Sequence, residues 1–175
     1  YCKLFKLLLD RNLPPIIIRF LLDMYTRHVS SVCWNGSHSS SFLVRNGVKQ
    51  GGVLSPILFC VYFDVLLVRL AERKIGCFMG HFFVGALAYA DDLVLLSPTP
   101  RAMRSLLAVC DTFGADFNVV FNASKSKCLV IPPQYGKNRS YCCSVKPVFT
   151  IGCNIIEFVD HWPQLGHIIS VNFDD

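Results

Sequence analysis

The sequence predicts an α+β domain of antiparallel hairpins and packed helices, and three observations carry that expectation. Two apolar runs, residues 82–88 and 93–96, flank Tyr89-Ala90-Asp91-Asp92, the pattern of a β-hairpin with carboxylates at its tip. Ser55-Pro56 and Thr99-Pro100 each set a capping side chain before a proline, which is how helices commonly open. No run reads as a membrane span, because the longest apolar stretch, residues 57–70, is short and broken by Asp64 and Arg69.

Taken in order, Leu4, Phe5, Leu7, Leu8 and Leu9 give residues 1–11 a helical pattern that stops near Pro14. Pro15 starts a second helix, with Ile16, Ile17, Phe20, Leu21 and Met24 on the expected buried stripe and Arg19, Asp23 and Arg27 largely outside it. Residues 29–34 and 42–44 read as two strands joined through Asn35-Gly36-Ser37. A glycine-rich crossing, residues 46–56, then leads to Ser55 as N-cap and Pro56 as first helical residue. The helix that follows, to about Lys74, is apolar on nearly every side and is expected to be central and buried. From Thr99, the positions Met103, Leu106, Leu107, Cys110, Phe113 and Phe117 make an amphipathic helix. Residues 119–121 and 129–131 read as short strands around residues 122–127. Residues 132–147 read as a polar loop, and residues 148–151, 155–159 and 167–171 as strands.

At 175 residues the chain fits one domain, long enough to bury a sizeable core. An apolar fraction of 53% and a mean hydropathy of +0.43 are high for a freestanding soluble protein, so much of the surface is expected to be covered by something outside this stretch. Nine cysteines, none in a Cys-x-x-Cys pair, sit mostly in apolar runs as small core residues, which places the chain in a reducing, intracellular compartment. No signal peptide opens the sequence. Net charge is +5, and between Phe117 and Ile156 there is no Asp or Glu, while Lys125, Lys127, Lys137, Arg139 and Lys146 all fall there. That stretch is either a phosphate-facing surface or a solvated loop.

The chemistry centres on Asp91 and Asp92. Adjacent carboxylates between apolar flanks repel, and a cation relieves the repulsion. Mg²⁺ suits such a pair, being a hard ion that takes one or two carboxylates and leaves room for phosphates. A plain polar hairpin turn is the competing reading.

Residues 47–56, Gly-Val-Lys-Gln-Gly-Gly-Val-Leu-Ser-Pro, then Tyr89-Ala90-Asp91-Asp92-Leu93, then Phe121-Asn122-Ala123-Ser124-Lys125-Ser126 resemble the reverse transcriptase of non-LTR (LINE-type) retrotransposons in order and spacing. The likeness runs over nearly the whole chain. It implies a right-hand polymerase palm, with an antiparallel sheet and packed helices, part of the fingers and the start of the thumb connection. The implied divisions are residues 1–54, the end of the first palm helix with fingers and palm elements; 55–131, the palm with its catalytic hairpin; and 132–175, a variable loop with primer-grip-like strands. The implied reaction is RNA-templated nucleotide addition to a DNA primer 3′ end with two Mg²⁺ ions, Mn²⁺ being a possible substitute.

By that resemblance Asp91 is a metal ligand with Asp92 beside it, and Lys125 stands where the family has a lysine that pairs with triphosphate or gives a proton to pyrophosphate. Lys127 competes for that role. Gln50, Gly51, Gly52, Ser55 and Tyr89 are implied in nucleotide or template binding. Gly51 and Gly52 allow close backbone approach to a base pair, although a simple helix-entry loop uses glycine too. Trp162-Pro163-Gln164-Leu165-Gly166 resembles the primer-grip turn, where the family more often shows Tyr-Leu-Gly, so Trp162, Leu165 and Gly166 are the implied primer contacts.

Implied partners are an RNA template, a DNA primer and deoxynucleoside triphosphates, with no membrane, and the implied setting is the nucleus or cytoplasm. The family's palm also carries an aspartate on a strand shortly before the helix that opens here, and Asp10 is too late in that helix to replace it. The stretch is therefore expected to be a fragment of a polyprotein that also supplies fingers, thumb and endonuclease, and to be inactive by itself. A non-catalytic nucleic-acid-binding remnant is the alternative.

Overall fold

The computed structural model describes residues 1–44, 47, 49, 51–131 and 146–171. Along the chain run α1 (Cys2–Asp10), α2 (Pro15–Thr26), β1 (Val29–Ser30), β2 (Cys33–Trp34), β3 (Ser37–His38), β4 (Phe42–Leu43) and α3 (Ser55–Glu72). They are followed by β5 (Phe78–Met79), β6 (Phe82–Phe83), β7 (Ala86–Tyr89), β8 (Asp92–Leu95) and α4 (Pro100–Phe117). The last are β9 (Lys127–Cys128), β10 (Thr150–Ile151), β11 (Asn154–Ile155), β12 (Glu157–Phe158), β13 (His161–Gln164) and β14 (His167–Ser170). The architecture is α+β, but among the described residues the strands make seven separate two-stranded ladders, six of them sequence-neighbour or near-neighbour pairs and one, β9–β12, parallel. Two compact units result: Tyr1–Val68 with Ala88–Asp92, and Arg69–Leu87 with Leu93–Asp175.

In the first unit Leu4, Phe5 and Leu8 of α1 meet Ile18, Leu21 and Tyr25 of α2 and Leu58 of α3. Leu8 is almost fully buried, so truncating it to alanine costs about 2–5 kcal/mol. The rings of Tyr1 and Tyr25 meet edge-to-face at 5.2 Å, and Arg11 pairs with Asp64 at 2.5 Å, tying α1 to α3. The buried stripe of α2 departs from the sequence expectation. Ile18, Leu21 and Tyr25 face inward, whereas Ile16 is 72% and Phe20 66% exposed and Ile17 is exposed too. Both faces of this helix are apolar, so periodicity does not choose between them, and the positions of α1 and of Leu58 in α3 do.

The single hairpin expected over residues 29–44 is two nested ladders. β2 and β3 pair across the left-handed Asn35-Gly36 turn, and β1 pairs with β4. Between them the Ser39 hydroxyl accepts from the Val32 N–H at 3.0 Å, a side-chain bond that interrupts the regular ladder. In α3, Leu58, Phe63, Leu66 and Leu70 are buried while Ile57, Cys60 and Val68 are exposed. That is one stripe rather than burial on every side.

The second unit is built around α4. Thr99 caps it, its hydroxyl accepting from Ala102 N–H at 3.2 Å, and Pro100 opens it as the sequence predicts. Asn118 ends it in the left-handed conformation at φ 53°. Leu106, Leu107, Val109, Cys110 and Phe113 are buried, as are Leu70, Phe149, Ile151 and Ile156 of this unit. Asp111 accepts from the Gly152 N–H at 2.6 Å, pinning the β10–β11 turn to the helix. Arg69 pairs with Asp116 at 2.6 Å and lies 5.3 Å from the Phe117 ring centre. Burial pushes the Cys110 thiol up to about 12, with nearby Asp111 adding to the shift.

Three strand expectations fail here. Phe82 and Phe83 do not continue into β7 but pair back onto β5, because Gly85 interrupts the run. A Cβ at Gly85 would stand 2.5 Å from the Phe83 ring, so the bend needs a glycine. Residues 119–121 form no strand, and of the expected 129–131 strand only the preceding Lys127-Cys128 pairs, with β12.

Candidate functional site

The hairpin tip is where the sequence expects it. β7 and β8 join through Ala90 and Asp91, and Asp92 is the first residue of β8. Ala90 holds φ 51°, a left-handed conformation that costs a residue bearing a Cβ about 1–2 kcal/mol. Tyr89, Asp91 and Asp92 are all exposed, so water screens the carboxylate repulsion and the low-dielectric surroundings expected from the apolar flanks are not found. Among the described residues neither carboxylate is ion-paired, and no group of three His, Cys, Asp or Glu has the spacing to hold a metal. Two open carboxylates suit the partial attachment that Mg²⁺ accepts from protein, with remaining positions left to other oxygens.

The same compact unit holds the glycine-bearing loop. Its carbonyls are tied inward: Tyr1 donates its hydroxyl to Gly47 O at 3.1 Å, and Lys49 O accepts from Gly52 N–H at 2.9 Å and from the Ser55 hydroxyl at 2.7 Å. Ser55 is 4% exposed and is the first residue of α3, not its N-cap, since Leu58 N–H already bonds to Leu54 O at 2.9 Å. Its hydroxyl turns back to close the loop. The two glycines differ in reason. Gly51 has φ 78° and open space where a Cβ would stand. At Gly52 a Cβ would lie 2.7 Å from Ser55 Oγ and 3.0 Å from Lys49 O, so internal packing requires that glycine. Gln50 lies outside the described residues.

The remaining candidates belong to the second unit. Lys127 bonds to Glu157 at 2.5 Å across β9–β12, its side chain is 17% exposed, and that bond holds the Glu157 carboxyl below its usual range. Lys146 lies 5.6 Å from the Phe158 ring centre. Lys125 is exposed, and among the described residues no carboxylate pairs with it. Two of the cations in the acid-free stretch are thus engaged internally, and Lys137 and Arg139 lie outside the described residues. β13 and β14 pair from His161↔Ser170 to Gln164↔His167 and turn through Leu165 at φ 50° and Gly166 at φ 83°. Leu165 is 54% exposed, and Trp162 is half-buried opposite Ile169.

Sequence reasoning missed the strained Ala90, the loop-closing Lys49 carbonyl and Glu157. Only the first leaves a local trace, a small residue before Asp in a two-residue turn.

The reverse transcriptase (RNA-dependent DNA polymerase) family matches residues 2–155. The chain belongs to this family. Relatives of this reverse transcriptase chain include the retrovirus-related Pol polyprotein from type-1 retrotransposable element R2 of Popillia japonica, 32% identical over 148 residues, which are 82% of this chain and 23% of that protein. The Pol polyprotein from type-2 retrotransposable element R2DM of Drosophila melanogaster is 31% identical over 157 residues, 87% of this chain and 14% of the relative. The type-1 R2 polyprotein of Nasonia vitripennis is 34% identical over 127 residues, 71% of this chain and 12% of the relative. These matches bear out the resemblance to non-LTR retrotransposons. The chain spans less than a quarter of the length of each. Among the described residues no helix is long and apolar enough to cross a membrane.

Proposed function

We propose that this chain is the palm-centred part of an RNA-directed DNA polymerase of a non-LTR retrotransposon, which copies an RNA template by adding deoxynucleotides to a DNA primer 3′ end. The observation that carries this reading is the exposed Asp91-Asp92 tip, without an ion pair among the described residues, in the same compact unit as the glycine loop. Residues 1–54 are then the end of the first palm helix with fingers and palm elements, 55–131 the palm with its catalytic hairpin, and 132–175 the variable loop and primer-grip-like strands.

Divalent ions, Mg²⁺ or Mn²⁺ and two in the complete enzyme, supply activation of the primer hydroxyl and charge neutralisation at the departing pyrophosphate when bound. Asp91 and Asp92 would contribute exposed carboxylate oxygens to holding those ions, together with a further carboxylate from another strand. Gly51, with open space in place of a Cβ, lets loop backbone approach the incoming base pair, and Gln50 and Tyr89 contribute contacts to nucleotide and template. Ser55 acts one step back, holding the loop through Lys49 O. Lys125 presents its ammonium to the triphosphate and gives a proton to the leaving pyrophosphate. Trp162, Leu165 and Gly166 hold the primer strand.

Primer extension tests this. The longer polypeptide containing this chain should extend a primer on RNA with Mg²⁺, and Asp91→Asn should abolish extension because the amide keeps the shape and loses the charge. The 175 residues alone should not extend, since Asp91 and Asp92 come from one tip and a second strand must contribute a further carboxylate. Extension by the longer polypeptide that survives Asp91→Asn would overturn the site. A longer polypeptide that binds template-primer without extending it would favour the non-catalytic remnant.

A further inference from the structure

The turn that carries Lys125 is held from both ends and from its middle. On the entering side Val119 N–H bonds to Gly114 O at 3.0 Å, and the Phe121 ring would stand 3.8 Å from a Cβ at Gly114. On the leaving side β9 is locked to β12 and Lys127 to Glu157. Inside the turn most bonds converge on Asn122, with Ser126 N–H also reaching Ala123 O at 3.2 Å. Its side-chain carbonyl accepts from the Ser124 hydroxyl at 2.7 Å and from the Lys125 N–H at 3.2 Å. Its backbone carbonyl accepts from the same Lys125 N–H at 3.2 Å, from Ser126 N–H at 3.0 Å and from the Ser126 hydroxyl at 2.9 Å. Ala123 is buried beneath the turn, while Ser124 and Lys125 face solvent.

A surface lysine on a free loop spends most of its time elsewhere, because its backbone and four side-chain torsions are unrestrained. Here the backbone share of that freedom is removed at Lys125 itself, by a bond to its own N–H. We propose that Asn122 is a positioning residue for Lys125: its Oδ1, which shares the Lys125 N–H with the Asn122 backbone carbonyl and also takes the Ser124 hydroxyl, sets the turn from which the lysine reaches the triphosphate. The proposal rests on the reading of Lys125 given above and goes beyond it. Asn122 makes no contact with substrate; it acts through the turn. An aspartate at this position keeps a side-chain acceptor for both donors, whereas an alanine leaves the Ser124 hydroxyl without it and Lys125 N–H with the backbone carbonyl of residue 122 alone.

The test uses the longer polypeptide that carries this chain and measures single-nucleotide addition, template-primer affinity and thermal unfolding for Asn122→Ala, Asn122→Asp, Lys125→Met and the double variant Asn122→Ala/Lys125→Met. Lys125→Met should lower kcat by about a hundredfold, the lower end for loss of a proton donor. Asn122→Ala should lower kcat roughly tenfold, with KM, affinity and unfolding temperature nearly unchanged, and Asn122→Asp should recover most of the loss. In the double variant the loss should equal that of Lys125→Met alone, because two residues acting as one unit are not additive. Additive losses would overturn the proposal, as would an Asn122→Ala loss that merely follows lost folding, or wild-type kcat in Asn122→Ala beside a slow Lys125→Met. Wild-type kcat in Lys125→Met would instead overturn the reading of Lys125 itself, and the proposal with it.

Discussion

Two hairpins in this chain have the same skeleton and opposite chemistry. β7–β8 and β13–β14 each join four-residue strands, and each places a non-glycine residue in the left-handed region as it turns, Ala90 at φ 51° and Leu165 at φ 50°. After that residue one tip continues with Asp91 and Asp92, the other with Gly166. The first therefore spends its strain next to two exposed carboxylates, and the second next to Gly166, with the apolar side chain of Leu165 itself displayed outward. Strain of this kind persists only where the surroundings enforce it, and it gathers at sites that must hold one geometry. The same backbone turn thus presents charge at one tip and an apolar side chain at the other, which is the difference the proposed roles of the two tips rest on.

The largest expected effect separates the two roles outright. In the longer polypeptide, Asp91→Asn should reduce primer extension by about a hundredfold or more, the loss expected when charge stabilisation at a reacting group is removed. Leu165→Ala should instead weaken primer affinity several-fold and leave kcat near wild type. Equal kcat losses at both tips would break the comparison.

Next in size is the loop that shares a unit with the polar tip. Gly52→Ala drives a Cβ against Ser55 Oγ and Lys49 O and should destabilise by about 1–3 kcal/mol, read from chemical denaturation. Gly51→Ala meets nothing and should cost only the left-handed penalty of about 1 kcal/mol.

An alkaline titration probes the unit that carries the apolar tip. The Cys110 thiol is raised from 9.0 to about 12, so the folded state keeps its proton where the unfolded chain gives it up. Its contribution to stability is complete below pH 9 and falls as pH climbs toward 12. Cys110→Ala should flatten that decline, and an unchanged slope would refute the assignment to this thiol.

The smallest effect concerns the strain itself. Ala90→Gly and Leu165→Gly each relieve the left-handed penalty and add glycine's entropy cost, leaving a net gain of about 0.5 kcal/mol in stability. If the turn at Ala90 directs the carboxylates, its glycine variant gains stability and loses turnover, while Leu165→Gly loses primer affinity.

Much of this was legible in the sequence because it depended on local signals. Thr99-Pro100 marked the start of α4, Pro15 that of α2, and the hairpin tip fell at Ala90-Asp91, with Asp92 opening the second strand. Lys125 and Lys127 could not be told apart, because what distinguishes them is Glu157, far along the chain. The face of α2 was misread in part: Leu21 and Met24 pack on the core as expected, but Ile16, Ile17 and Phe20 are as apolar as Ile18, and the choice is made by α1 and by Leu58 of α3. Ser55 was read as a cap from its place before Pro56, yet its hydroxyl points back to Lys49 O, a bond that spacing does not announce. The split at Gly85 had a visible cause, but its effect depends on the Phe83 ring folding over it.

The parallel pairing of β9 with β12 sets an order of events. Lys127 and Glu157 are 30 residues apart, so the leaving end of the Lys125 turn cannot lock until the ribosome has delivered Phe158. The α4 side of the turn, by contrast, closes within a few residues of being made, through Gly114 and Val119. A chain emerging from synthesis therefore has its helices and its carboxylate tip before its lysine turn is fixed, and closing that long loop is the slower entropic step. A polypeptide cut short before residue 157 would carry every residue of the turn and still present Lys125 from an unfastened end.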